Sequence, residues 1–150
     1  GGMIMKNGID KKEIEEIKKM IDMALEARKS SYAPYSKFHV GACLQADTGE
    51  FYLGCNIENA GYTATNCAER TAFFKAVSDG RQKFERIAIM GGSDRVKLDF
   101  CPPCGVCLQV MMEFCNPETF EIILGNSDGE YKIYLLKELL PMGFGPENIS

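Results

Sequence analysis

Cys104-Gly105-Val106-Cys107 places two thiols three residues apart at the start of an expected helix, where i and i+3 side chains share a face. Such a pair serves as a redox couple, as half of a zinc site or as plain core thiols, and by itself it leaves all three open. Upstream, Cys67-Ala68-Glu69-Arg70 opens another helix with one thiol and one carboxylate in its first turn. Three thiols on two helix N-termini point to one cation. Zinc takes thiolates, stays tetrahedral and, with three protein ligands, keeps one corner for water, which is the mark of a catalytic centre. Three thiolates outweigh the charge of Zn²⁺ and would make that water less acidic, so positive partners are needed. The two helix N-termini supply part of this, and Arg70 is placed to donate to a thiolate. Glu69 must stay out of the ligand set if it is to shuttle protons.

Other residues read less sharply. Asn56 and Glu58 alternate at the end of an expected strand, so both side chains face one way, as a pair gripping a sugar hydroxyl requires. Bracing a loop is the plainer use of the same two residues. Phe38 by itself reads as strand packing, Phe144 as a stray aromatic, and His39, opposite Phe38, as a surface strand residue rather than a ligand. Cys43, Cys55 and Cys115 are assigned to the core. Cys101-Pro102-Pro103-Cys104 makes a second, overlapping C-x-x-C. Cys101 is thereby a rival ligand or a fourth thiolate closing a structural site, but the two prolines extend the chain and set the thiols apart.

The elements that would carry these residues are visible in the pattern. Ile14, Ile17, Ile21 and Leu25 recur at helical spacing over residues 10–27, with Asp10 and Glu13 as a capping-box-like start. Phe38, Val40, Ala42 and Leu44 alternate, Asp47-Thr48-Gly49 turns, and Phe51, Leu53 and Cys55 alternate again, which predicts a β-hairpin. Asn66 is the expected N-cap of a helix over Cys67 to Ser78, ended by Gly80. A short strand over Ile87 to Met90 closes at Gly91 and Gly92, and a second helix follows Pro102-Pro103, from about Cys104 to Cys115. Strands over Thr119 to Leu124 and Tyr131 to Tyr134 flank a turn, ahead of a short Leu-rich helix. Five strands and four helices in mixed order predict one sheet covered by helices.

Composition bounds the answer. The 150 residues are 45% apolar and 25% charged, which is ordinary for one globular domain over 1–150, with Gly1 and Gly2 ahead of Met3 read as a tag remnant. The net charge of −4 and the single His give no electrostatic footprint for nucleic acid or an anionic membrane, so a small molecule is the expected partner. No apolar run approaches the ~20 residues that a bilayer requires, and a soluble, cytoplasmic protein is expected. Seven Cys in a reducing compartment read as core thiols plus a metal or catalytic group.

Taken together, Cys67-Ala68-Glu69-Arg70 and Pro103-Cys104-Gly105-Val106-Cys107 resemble the small zinc-dependent cytidine deaminases, with Cys in place of the His of the H-x-E…P-C-x-x-C signature. The resemblance extends through Ala33-Pro34-Tyr35-Ser36-Lys37-Phe38, Val40-Gly41-Ala42, Gly54 to Ala60 and the terminal Phe144-Gly145-Pro146-Glu147. It implies a three-layer αβα sandwich with a five-stranded mixed sheet, assembled as a homotetramer with shared active sites. It further implies that Cys67, Cys104 and Cys107 bind one zinc ion and that Glu69 moves the protons. By the same resemblance Phe38 packs on the pyrimidine, Asn56 and Glu58 hold the ribose 3′-hydroxyl, and the Ala68 N–H meets the base carbonyl. Ala60 and Tyr62 would reach a neighbour's site, and Phe144 would cover it. Leu108 stands where the family usually has Arg, which bears on a subunit contact rather than on zinc. The implied activity is hydrolytic deamination of cytidine and deoxycytidine in pyrimidine salvage. The alternatives are the same chemistry on a modified cytosine nucleoside, or a non-catalytic zinc module.

Overall fold

In the computed structural model, residues 11–150 are described; the expected cap at Asp10 lies outside them. Helix α1 (Lys11–Arg28) leads into the hairpin β1 (Phe38–Ala46) and β2 (Phe51–Cys55). After a single 3₁₀ turn come α2 (Ala68–Ser78), β3 (Phe84–Ser93), α3 (Gly105–Phe114), β4 (Glu121–Gly125), β5 (Tyr131–Leu135) and the one-turn α4 (Leu136–Leu139). The strands form one sheet in the order β2-β1-β3-β4-β5. Only β3 and β4 run parallel, and α3 lies in the connection that a parallel pair demands. The resulting α/β fold has helices on both faces of a five-stranded mixed sheet, as expected.

Period-2 alternation divides the strands between two cores. Cys43, Ala88, Met90, Ile123 and Ile133 face α1, which meets them with Ile17, Met20 and Ala24. Ala42, Leu44, Ile87, Ile89, Ile122 and Leu124 face the other way, against Ala68, Ala72 and Phe73 of α2 and Leu108 and Met111 of α3. The stripe expected on α1 is rotated: Leu25 is exposed and Ala24 is buried. The reason is contact between backbones, since a Cβ on Gly41 would lie 2.0 Å from the Ala24 carbonyl oxygen. On the opposite face a Cβ on Gly54 would lie 2.3 Å from the Ala68 carbonyl oxygen, so β2 presses directly on the first turn of α2. Phe73 of α2 stacks on Phe114 of α3 with centroids 6.3 Å apart and meets Phe84 edge-on at 5.0 Å. Each such pair adds about 0.5–1.5 kcal/mol beyond burial and fixes the spacing of the two helices.

Strand β3 and the cap of α2 differ from expectation in ways that bear on the site. Strand β3 runs well past Ile87–Met90 at both ends because it pairs with the whole of β1, from Phe38 opposite Ser93 to Ala46 opposite Phe84. Gly91 and Gly92 therefore lie inside the ladder, where Val40 and Cys101 fill the space beside Gly91. The N-cap of α2 is Cys67, not Asn66. Asn66 pairs through its backbone with Ile57, and its side chain donates to Thr71 Oγ1. Among the described residues, no helix is long and apolar enough to cross a membrane.

Candidate active site

Cys67 caps α2 and Cys104 caps α3, with Cys107 one turn into α3. Both helix starts converge, so each thiol sits where the backbone N–H groups concentrate partial positive charge. The three sulfurs lie within 4.8 Å of one another. Cys67 and Cys104 Sγ are 3.7 Å apart, and Cys104 and Cys107 Sγ are 3.6 Å apart. A tetrahedral zinc with bonds of about 2.3 Å sets its sulfurs roughly 3.8 Å apart, so the cluster has the dimensions the ion requires. Cys101 is not in the group; its thiol packs beside Gly91 and against the core, and burial pushes it up to about 11.

The protonation of the cluster carries the same message. The hydrogen bond with Cys107, followed by those from Arg70 and Cys104, holds Cys67 down at about 5, while the same Cys67–Cys107 bond, with burial, drives Cys107 far upward. Arg70 Nη2 donates to Cys67 Sγ at 3.3 Å. The protein by itself thus favours the Cys67 thiolate and disfavours that of Cys107, and a cation held between them would favour both. Glu69, only 4% exposed, is pushed up to about 7 by burial, with the Cys67 thiolate adding to the effect.

A cavity of about 290 Å³ opens onto this centre, walled by Phe38, Asn56, Glu58, Ala68, Glu69 and Cys104. Ala68 is the first residue of α2, so its N–H has no partner within the helix. Phe38 opens β1 and is 43% exposed, at the pocket rather than in the core packing that its position alone indicates. Asn56 and Glu58 lie just beyond β2, on either side of Ile57, which bridges to Tyr32 and Asn66. Glu58 accepts from the backbone N–H groups of Tyr35 and Ser36 and from Ser36 Oγ, and these bonds, the hydroxyl first, hold its carboxyl below the usual range. It braces the loop and lines the pocket at once. Ala60 and Tyr62 line a neighbouring groove instead, with Tyr62 92% exposed. Phe144 is 59% exposed and lies outside the lining of the pocket in its own chain.

Residues 14–122 match the family described as the cytidine and deoxycytidylate deaminase zinc-binding region. The chain belongs to the cytidine deaminase family. It is 45% identical over 135 residues to the cytidine deaminase of Sporosarcina psychrophila, covering 90% of this chain and 96% of that protein. It is likewise 45% identical over 131 residues to that of Halalkalibacterium halodurans, covering 87% and 96%. The crystal structure of the cytidine deaminase from Burkholderia pseudomallei superposes with a TM-score of 0.76 at 42% identity, covering 84% of this chain and 97% of that one. Zinc is the cofactor of this deaminase domain, and among the described residues Cys67, Cys104 and Cys107 form a group that can hold it. Sequence reading missed Ser31, His39 and the Tyr35–Ser36 turn behind Asn56 and Glu58. These contacts span 8 to 25 residues and have no periodic signal.

Proposed function

We propose that this deaminase hydrolyses cytidine and deoxycytidine to the corresponding uridines with release of ammonia. The observation that carries the reading is a carboxyl buried beside a three-thiol cluster at the floor of a pocket with an aromatic wall. Bound zinc supplies Lewis-acid activation of the attacking water. Phe38 packs on the pyrimidine, and the Ala68 N–H donates to the base carbonyl. Glu69 takes the first proton of the water as its oxygen attacks C4 and passes it to N3. It then takes the second proton and delivers it to the 4-amino group, which leaves as ammonia. A carboxyl with a proton affinity near neutral suits both directions. Arg70, on Cys67, offsets the surplus negative charge. Asn56 and Glu58 hold the 3′-hydroxyl of the sugar.

We further propose a single domain that assembles as a homotetramer, with Ala60, Tyr62 and Phe144 reaching a neighbour's pocket, in support of which stand their exposed positions. Seven free cysteines support a cytoplasmic, reducing setting, and the proposed reaction itself would serve pyrimidine salvage. The test is ammonia release from zinc-loaded protein across nucleosides. Cytidine and deoxycytidine should react, and free cytosine, lacking the sugar, should be poor. Equal rates on cytosine would overturn the sugar assignment.

A further inference from the structure

A chain of polar contacts runs from the last residue of α1 to the wall of the pocket. Arg28 donates through Nε to the His39 carbonyl at 2.8 Å, and through Nη2 to the Gly92 carbonyl at 2.7 Å and to Asp94 Oδ1 at 2.8 Å. Asp94 Oδ2 faces His39 Nε2 at 3.8 Å. His39 Nδ1 lies 3.0 Å from Ser31 Oγ, and Ser31 Oγ bonds Asn56 Oδ1. The Val40 N–H also donates to Asn56 Oδ1, at 2.9 Å, and Asn56 Nδ2 donates to the Phe38 carbonyl at 2.8 Å.

Counting protons gives this chain a direction. An amide oxygen only accepts and an amide nitrogen only donates. Turning the Asn56 amide over would set its NH₂ against the Val40 N–H and its oxygen against the Phe38 carbonyl, so the orientation is fixed. The Ser31 hydroxyl must then give its single proton to Asn56 Oδ1, and its oxygen is left to accept from His39. His39 Nδ1 therefore carries a proton, and Asp94, held by Arg28, stands at the other ring nitrogen. Both lone pairs of Asn56 Oδ1 are occupied, as is one of the two Nδ2 protons. One N–H remains for the pocket that Asn56 lines.

We infer that Ser31 and His39 are positioning residues that lock the Asn56 amide, so that it offers a single N–H donor to an acceptor oxygen on the sugar. The identity of that ligand rests on the nucleoside reading above; the lock itself does not. It makes Asn56 a selector for a sugar oxygen that can accept. It also ties the substrate wall to the end of α1 and to the edge of β3, two elements that supply no residue to the thiol cluster.

The test uses zinc-loaded protein and two kinds of readout. Because the chain holds one His, its imidazole gives a single pair of ring-nitrogen NMR signals. The neutral imidazole should carry its proton on Nδ1. Ser31→Ala should shift the Asn56 side-chain amide, and Ser31→Thr, which keeps a hydroxyl, should restore it. In kinetics, Ser31→Ala and His39→Ala should lower kcat/KM for cytidine about fivefold to tenfold, mainly through KM, as expected for a loosened hydrogen bond. On 3′-deoxycytidine, which lacks the hydroxyl, the loss should shrink to less than about twofold. A bare Nδ1 with the proton on Nε2, an unmoved Asn56 amide, or equal losses on the two nucleosides would overturn the lock. Failure of the parent protein to deaminate either nucleoside would overturn the nucleoside reading instead, and the imidazole and amide signals would still decide whether the lock exists.

Discussion

Glu69 combines deep burial with a place in the first turn of α2, beside three thiols. A carboxyl so enclosed resists ionisation, which is why burial moves it up to about 7, where it can both accept and return a proton. A purely structural zinc site has no use for such a group at its edge. Glu69→Gln keeps the shape and removes the shuttle, so the variant should fold, retain zinc and lose about 10²–10⁴-fold in kcat. Near-normal turnover would defeat this mechanism. The ligand assignment has its own check in metal analysis. Cys104→Ala should no longer hold the ion, since two thiols cannot make the site, whereas Cys101→Ala should keep it, because Cys101 packs beside Gly91, apart from the cluster. Metal loss from the Cys101 variant alone would reverse the assignment.

The geometry of that cluster is set by two helices, and both are held from behind by the sheet. Gly54 lets β2 touch the backbone of α2 at Ala68, which lies between Cys67 and Glu69, and at Ala72 one turn on. Gly54→Ala inserts a methyl group against backbone rather than against a yielding side chain, so α2 must move. The expected cost is about 1–3 kcal/mol. In a chain of this size each kcal/mol lowers the melting temperature by about 2–4 °C. Activity should fall as well, because the displaced turn carries Cys67 and Glu69. An unchanged melting curve would show that the contact is slack. The helix starts were legible in the sequence because they depend on local spacing: two Cys three apart after prolines, and Cys-Ala-Glu-Arg at a helix entry. The length of β3 is not, since polar Glu85 and Arg86 hide a strand that its pairing with β1 and β4 reveals. Asn66 departs from expectation for a similar reason: its backbone pairs with Ile57, and the cap falls to Cys67. The surroundings of Asn56 lay beyond reach because Ser31, His39 and Asp94 come from three separate stretches of chain.

At the scale of the whole molecule, aromatic residues that belong to the proposed chemistry stand largely in solvent: Tyr62 is 92% exposed, Phe144 59% and Phe38 43%. A pocket that must shut out bulk solvent while admitting one reacting water needs these rings covered, and one chain leaves Tyr62 and Phe144 away from its own floor. Closed symmetry would bring the neighbour's rings over each pocket. Glu69→Gln and Phe144→Ala are then defects in different parts of a shared site. Purified separately, each variant should be weak; co-expressed, mixed oligomers should contain sites in which an intact Glu69 from one chain meets an intact Phe144 from another. Part of the activity should return, in proportion to such pairings. Leu108 sits on α3 and is buried within its own chain, so contacts between subunits would be made by other groups. Mixed oligomers no more active than their parents, or full activity in a monomer on a sizing column, would show that each chain closes its own site.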